Sequence, residues 1–211
     1  RVKNAVDLYD HFTAANAPIY NGREYTPYNF KSVGNAFLEP DTLADGWVNF
    51  EGRKYRSIPM LYDIVRNEVV ALNYDHQSYI VLQNDKIDSF YLLHHTFIKM
   101  QANDKLHLPV TGFYDLLYNG HIRVLARRTK NFQESISNDE LIRIFYQHNY
   151  FYVYKGDQYY TVNTKRQVYK LFIDKKHEIR RLMRKQKIKF RRKNFEEAMV
   201  KAAGFYDQLT H

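Results

Sequence analysis

Trp47-Val48-Asn49-Phe50-Glu51-Gly52-Arg53-Lys54-Tyr55 reads as a strand, a tight turn and a second strand. Trp47, Asn49 and Glu51 alternate with Val48 and Phe50, which is the period of a pleated strand. Gly52 then supplies the positive φ that tight hairpins need. The same unit, an aromatic, one residue and Gly, often with Tyr three residues on, returns along the chain. Its copies are Tyr20-Asn21-Gly22, Tyr118-Asn119-Gly120-His121 and Tyr154-Lys155-Gly156. The intervals are unequal, so this is turn chemistry rather than a solenoid repeat. Beside the third copy, Ile122, Val124 and Ala126 alternate with Arg123, Leu125 and Arg127. Further turns fit at Arg66-Asn67-Glu68 and Asn84-Asp85-Lys86.

From Trp47 to about Val162 the pattern therefore predicts a curled antiparallel meander or a barrel-like sheet. The 19 Tyr and 14 Phe against 8 Gly agree, because aromatic residues favour pleated, half-buried surfaces. Upstream, Val6, Leu8, Tyr9 and Phe12 predict a short helix over Val2–Phe12, with Asn4 as its cap. Ala14 to Pro18 breaks it, and Ser32 to Asp45, with Pro40, reads as an irregular loop. Ser137-Asn138-Asp139-Glu140 has capping-box spacing, yet Leu141–Gln147 is also β-branched and aromatic, so helix and strand both stand.

After Val162 the period changes. Thr164-Lys165-Arg166-Gln167 fits a capping box, and Val168, Leu171, Phe172, Ile179, Leu182 and Met183 follow at helical spacing. Lys187-Ile188-Lys189-Phe190-Arg191 alternates like extended chain. Asn194 and Glu197 suggest a cap for a last amphipathic helix carrying Phe195, Ala198, Met199, Ala202, Phe205, Tyr206 and Leu209. The fold class read from the sequence is α+β, mainly β: a body over residues 1–163 and a two-helix appendage over 164–211 packed on it.

The charge is local. Lys165 to Lys193 holds 14 of the 32 Lys and Arg with only Asp174 and Glu178 against them, so the stretch carries +12 within a total of +9. Leu171, Phe172, Ile179 and Leu182 should dock the helix and turn a basic ridge outward. The ridge comprises Lys176, Arg180, Arg181, Arg184 and Lys185, continued by Lys187, Lys189, Arg191 and Arg192. Solvated helices ordinarily mix signs to gain i,i+4 pairs of roughly 0.2–0.5 kcal/mol each. Here Lys176, Arg180 and Arg184 repel, which favours a binding face over a merely solvated one.

Three stretches carry a resemblance. They are Gly46–Tyr55 with Pro59-Met60-Leu61-Tyr62-Asp63, then Gly112-Phe113-Tyr114-Asp115-Leu116-Leu117-Tyr118-Asn119-Gly120, then Lys175–Lys193 followed by Phe205-Tyr206-Asp207. They resemble a family of uncharacterised exported proteins of Gram-negative bacteria, over most of the chain after Tyr20. The resemblance implies a signal peptide upstream of Arg1 and a place in the cell envelope, and it brings no catalytic or binding residues with it. The absence of Cys excludes disulfides, thiol catalysis and Cys-ligated zinc, and suits an oxidising compartment. No apolar run reaches the ~20 residues of a spanning helix.

Other chemistry is thinly signed. His94-His95 and His107 lack metal-ligand spacing, and adjacent strand residues face opposite sides, so no metal or cofactor is expected. Tyr-Asp occurs at Tyr9-Asp10, Tyr62-Asp63, Tyr74-Asp75, Tyr114-Asp115 and Tyr206-Asp207, where structural use outweighs paired-carboxylate catalysis. Nucleophile elbows, P-loops and dinucleotide fingerprints are absent. The expectation is a non-enzymatic periplasmic or outer-membrane-associated protein whose ridge engages an anionic surface or an acidic partner protein. Membership of an outer-membrane assembly fits that reading. The rivals are a nucleic-acid binder, which would use Tyr169, Phe172, Phe190 and Phe195 among the cations, and a carrier or enzyme with an apolar pocket in the sheet.

Overall fold

The computed structural model describes residues 17–39, 41–137 and 140–210. The helix expected over Val2–Phe12, Pro40, and Asn138 and Asp139 of the Ser137–Glu140 capping box lie outside them. The protein is mainly β, 46% strand, with a mostly antiparallel sheet that does not close, and a C-terminal helical segment. These described residues form two compact units: those up to 99 with those between 128 and 148, and those between 100 and 127 with those from 149 on.

Besides the end of β10 (Arg123–Ser137) and the start of β11 (Glu140–Lys155), the first unit has the strands β1 (Arg23–Glu24), β2 (Ser32–Val33), β3 (Ala44–Phe50), β4 (Arg53–Asp63), β5 (Glu68–Leu72), β6 (Tyr79–Val81), β7 (Ile87–Leu92) and β8 (His95–Met100). Their pairing order, β1-β6-β5-β4-β3-β7-β8, departs from a single meander, because β7 returns to pair with β3 rather than β6. The opening stretch makes the hairpin read from it, with Val48 and Phe50 buried, but the strand ends at Phe50: Glu51, read as strand, shares the turn at φ 49° with Gly52 at φ 75°. Asn67 turns β4 into β5 at φ 57°, and Asn84–Lys86 is a 3-10 turn. Ser57 is the extra residue of a bulge, at φ 52°, where the β3–β4 register shifts. Packed rings fill the core, Phe90 lying 4.7 Å from Phe97 and Tyr62 4.9 Å from Phe97.

Two expectations change here. Gly22 makes no hairpin, since β1 pairs with β6, and its role is close approach: a Cβ there would lie 2.1 Å from the Val81 carbonyl oxygen. The described residues of the 32–45 stretch are largely irregular, but Ser32–Val33 pairs parallel with Arg143 and Ile144, and Ala44 already begins β3.

The second unit takes β9 (Gly112–Asn119), the start of β10 (Arg123–Ser137), the end of β11 (Glu140–Lys155) and β12 (Gln158–Thr161), in that pairing order. Leu141–Gln147 is therefore strand; pairing with neighbouring strands outweighs the local cap signal. Gly156 turns β11 into β12 at φ 56°. The helices are α1 (Lys165–Leu171), α2 (Lys176–Lys185, preceded by the 3-10 turn Ile173–Lys175) and α3 (Phe195–Thr210, preceded by Arg192–Asn194). The expected two-helix segment is thus present, with α1 as a short lead-in that breaks at Phe172.

Candidate functional site

The helical segment is fixed from its first residue. Thr164 Oγ1 accepts from the Gln167 N–H at 3.3 Å, and Gln167 Oε1 accepts from the Asn163 N–H at 2.9 Å. Val168, Phe172, Ile179 and Met183 are buried among Ile122, Val124, Phe151 and the apolar face of α3, with Leu171 and Leu182 packed against them. Ile188 and Phe190 join the same cluster, so the alternation read over 187–191 is realised without strand pairing. Asn194 works differently from the cap expected of it. Its side chain reaches back to the Arg191 N–H at 3.0 Å, closing the 3-10 turn before α3.

Two clasps hold α2 and α3. Asp174 accepts from the Tyr206 hydroxyl at 3.0 Å and from Lys155 Nζ at 3.3 Å, while Lys155 also donates to the Leu171 carbonyl at 2.8 Å. Partial burial alone would raise the Asp174 carboxyl, but these hydrogen bonds hold it below its ordinary value. Asp207, buried on α3, accepts from the Tyr118 hydroxyl at 2.9 Å and from the His121 and Ile122 N–H groups at 3.0 Å each. This explains Gly120. Its φ is not left-handed; instead a Cβ there would stand 1.9 Å from Asp207 Oδ2.

With one face buried, the cations occupy the other, and they line three contiguous concavities. The central one, about 560 Å³, is bounded by Lys165 at the start of α1, by Arg180 and Arg184 of α2, and by Lys189 and Arg191. Tyr169, Met183, Ile188 and Phe190 supply its apolar wall. On one side Lys176 joins Lys165, Arg166 and Lys170 around the exposed Ile173. On the other, Lys187 joins Arg184, Arg191 and Lys193. Ten cations line the three, and no carboxylate does among the described residues.

The expected ridge is thereby divided. Lys176, Arg180, Arg184, Lys187, Lys189 and Arg191 share this concave surface. Arg181, Lys185 and Arg192 are exposed but line none of the three. The helical period explains part of it, since Arg181 lies about 100° around α2 from Arg180. Sequence reasoning missed Lys165 as a partner of this face. The signal was its place just after the Thr164 cap, from which a short helix folds back beside α2.

Tyr169 organises the centre. The Arg180 guanidinium carbon lies 4.8 Å from its ring centroid and Lys165 Nζ 6.0 Å, within cation–π range. Burial pushes its hydroxyl up, and Arg180 and Arg184 pull the other way. Its ring meets Phe190 edge-on at 5.6 Å, and Phe190 meets Phe195 at 5.8 Å. Phe172 is fully buried and stacked on Tyr206 at 4.6 Å, so it offers no platform to a base.

The remaining candidates lie away from this face, in turns and strands. His94 sits in the β7–β8 turn at φ 68°, and its Nδ1 is 3.4 Å from the Tyr91 hydroxyl; His107 sits in a separate turn at φ 57°. Asp63 is wholly buried and accepts from Tyr25 at 3.0 Å and from the Val65 and Arg66 N–H groups at 2.9 Å, holding the β4–β5 turn. Burial and the neighbouring Asp63 push the Tyr25 hydroxyl well up. Asp75 accepts from the Gln77 N–H at 2.9 Å in another turn. Asp115 is buried in β9.

Compared with protein-family models, curated proteins and solved structures, the chain matches none.

Proposed function

We propose that the protein is a non-enzymatic binding protein of the bacterial cell envelope, exported and periplasmic or outer-membrane-associated. Its basic C-terminal segment engages an anionic envelope surface or an acidic partner protein. The observation that carries this reading is the gathering of ten cations, with no lining carboxylate among the described residues, on the face of α1, α2 and the 187–193 segment left over after the core is formed. Asp174, one of two acids in the run, is engaged by Tyr206 and Lys155 instead. Near an anionic membrane each such cation contributes about 1 kcal/mol, so several together give reversible anchoring. Export rests on the family resemblance and on the absence of Cys.

The test is triple charge reversal, Arg180→Glu, Arg181→Glu and Arg184→Glu. None of the three side chains is in the core, so thermal stability should be nearly unchanged. Association with envelope fractions should be lost in the variant, and in the parent should weaken as salt shortens the screening length toward about 8 Å. A variant that keeps its association at low salt makes the basic face a solvated surface. Fractionation of native cells tests the compartment separately: a cytoplasmic protein retaining an uncleaved leader defeats the envelope assignment.

A further inference from the structure

We infer that the central concavity is a site for a compact, multiply charged phosphate cluster, the chemistry shared by a phosphorylated lipid headgroup and a soluble polyphosphate. This rests on the reading of the basic face as a binding face and narrows it to one place and one chemistry. Lys165 and Arg191 are far apart in sequence, yet they meet Arg180, Arg184 and Lys189 around one space of about 560 Å³. Charges that served only solubility would splay into water to reduce their repulsion. These are drawn together by the packing of three separate chain segments on one core.

The geometry selects the ligand. Three guanidiniums, of Arg180, Arg184 and Arg191, offer planar forks that match phosphate oxygens bidentately, and Lys165 and Lys189 flank them as point charges. Arg180 is also steadied over the buried Tyr169 ring, which reduces the freedom it loses on binding. A carboxylate brings one charge, and on an extended peptide successive same-side carboxylates are about 6–7 Å apart. Five cations around one concavity call for several charges in one compact group. A volume near 560 Å³ lies in the range of small-ligand sites.

The experiment uses the whole chain and two variants of equal charge loss. Arg184→Ala with Lys189→Ala removes cations of the concavity; Arg181→Ala with Lys185→Ala removes exposed cations outside it. Calorimetric titration with inorganic pyrophosphate should weaken about tenfold or more for the first pair and less than about twofold for the second. Flotation with phosphatidylcholine vesicles, with and without phosphatidic acid, separates the sources. Capture by phosphatidic acid vesicles that pyrophosphate competes away assigns a lipid headgroup. Pyrophosphate binding without vesicle capture assigns a soluble ligand. Both outcomes support the site. Equal weakening by the two pairs, or vesicle capture indifferent to the first pair, overturns it and leaves the broader basic-face reading standing. Failure to bind either pyrophosphate or vesicles overturns the site; envelope association abolished by the triple reversal would then still uphold the broader reading.

Discussion

Gly120→Ala should be among the most damaging single-methyl additions to this chain, and the cause should be traceable to one residue. The new Cβ would lie 1.9 Å from Asp207 Oδ2 and 2.9 Å from the Tyr118 hydroxyl oxygen. Contacts so short force the carboxylate to leave. It then gives up the Tyr118 hydroxyl and the His121 and Ile122 N–H groups. Hydrogen bonds to a charged acceptor are worth about 1.5–3 kcal/mol each, and here two backbone donors are left behind. Taking the low end for all three gives a loss of about 4.5 kcal/mol.

Urea unfolding followed by far-UV circular dichroism is the assay, because every described α-helix lies in the unit that contains Asp207. With a slope near 2 kcal/mol per M, the midpoint should fall by about 2 M. The decisive measurement is a double-mutant cycle. Asp207→Ala already discards the three hydrogen bonds, so adding Gly120→Ala to it should cost less than about 1 kcal/mol. Additive losses would refute the carboxylate contact as the cause and return the cost to the turn itself.

Gly156→Ala should behave oppositely, costing about 1 kcal/mol in any background. Its φ of 56° is unfavourable for a side chain, but nothing lies within 4 Å of the new methyl. Asp63→Ala should lower stability by about 2–4 kcal/mol in thermal melts, since it removes the charged acceptor of the buried Tyr25 hydroxyl and of two part-buried turn N–H groups. Asp174→Asn should cost under about 1 kcal/mol at pH 7, a figure kept small because the carboxylate is about half exposed. The Asp174 carboxyl is held below its ordinary value, so its contribution is present above about pH 4 and lost as pH falls through the lower folded value. The stability difference between parent and variant should therefore close in acid, and one that widens there would contradict the clasp.

What the sequence made legible was local. Alternation at Val48 and Phe50, the hairpins at Gly52 and Gly156, and the cap at Thr164 depend on neighbours within a few residues. What it hid depends on distant partners. Gly120 looks like Gly52 in the sequence, but its reason is Asp207 on the last helix. Gly22 looks the same again and answers to the Val81 carbonyl. Leu141–Gln147 carries a helix-start signal that strand pairing overrules. The candidate site divides likewise. The run of cations is plain along the chain, but its concave part becomes visible only when Lys165 folds beside Arg180 and the 187–191 segment turns its apolar residues inward.

The uniform sign of this face is not something the fold requires. Burying Phe172, Ile179 and Met183 contributes about 1.5–3 kcal/mol apiece. The like-charge contacts Lys176–Arg180 and Arg180–Arg184 oppose this by roughly 0.2–0.5 kcal/mol each. The core therefore exceeds the repulsion several-fold and positions α2 whatever charges its outer face carries. Glu at one or two of those positions would convert repulsion into i,i+4 attraction and stabilise the helix. A sequence shaped for stability alone would have them. The positions that forgo this gain, Lys176, Arg180 and Arg184, also line the concave surface, while Asp174 is drawn away to Tyr206 and Lys155. Arg181 and Lys185, also four apart, forgo the same gain outside that surface, so the forgone stability extends over the outer face of α2, which is what the proposed binding face would require of it.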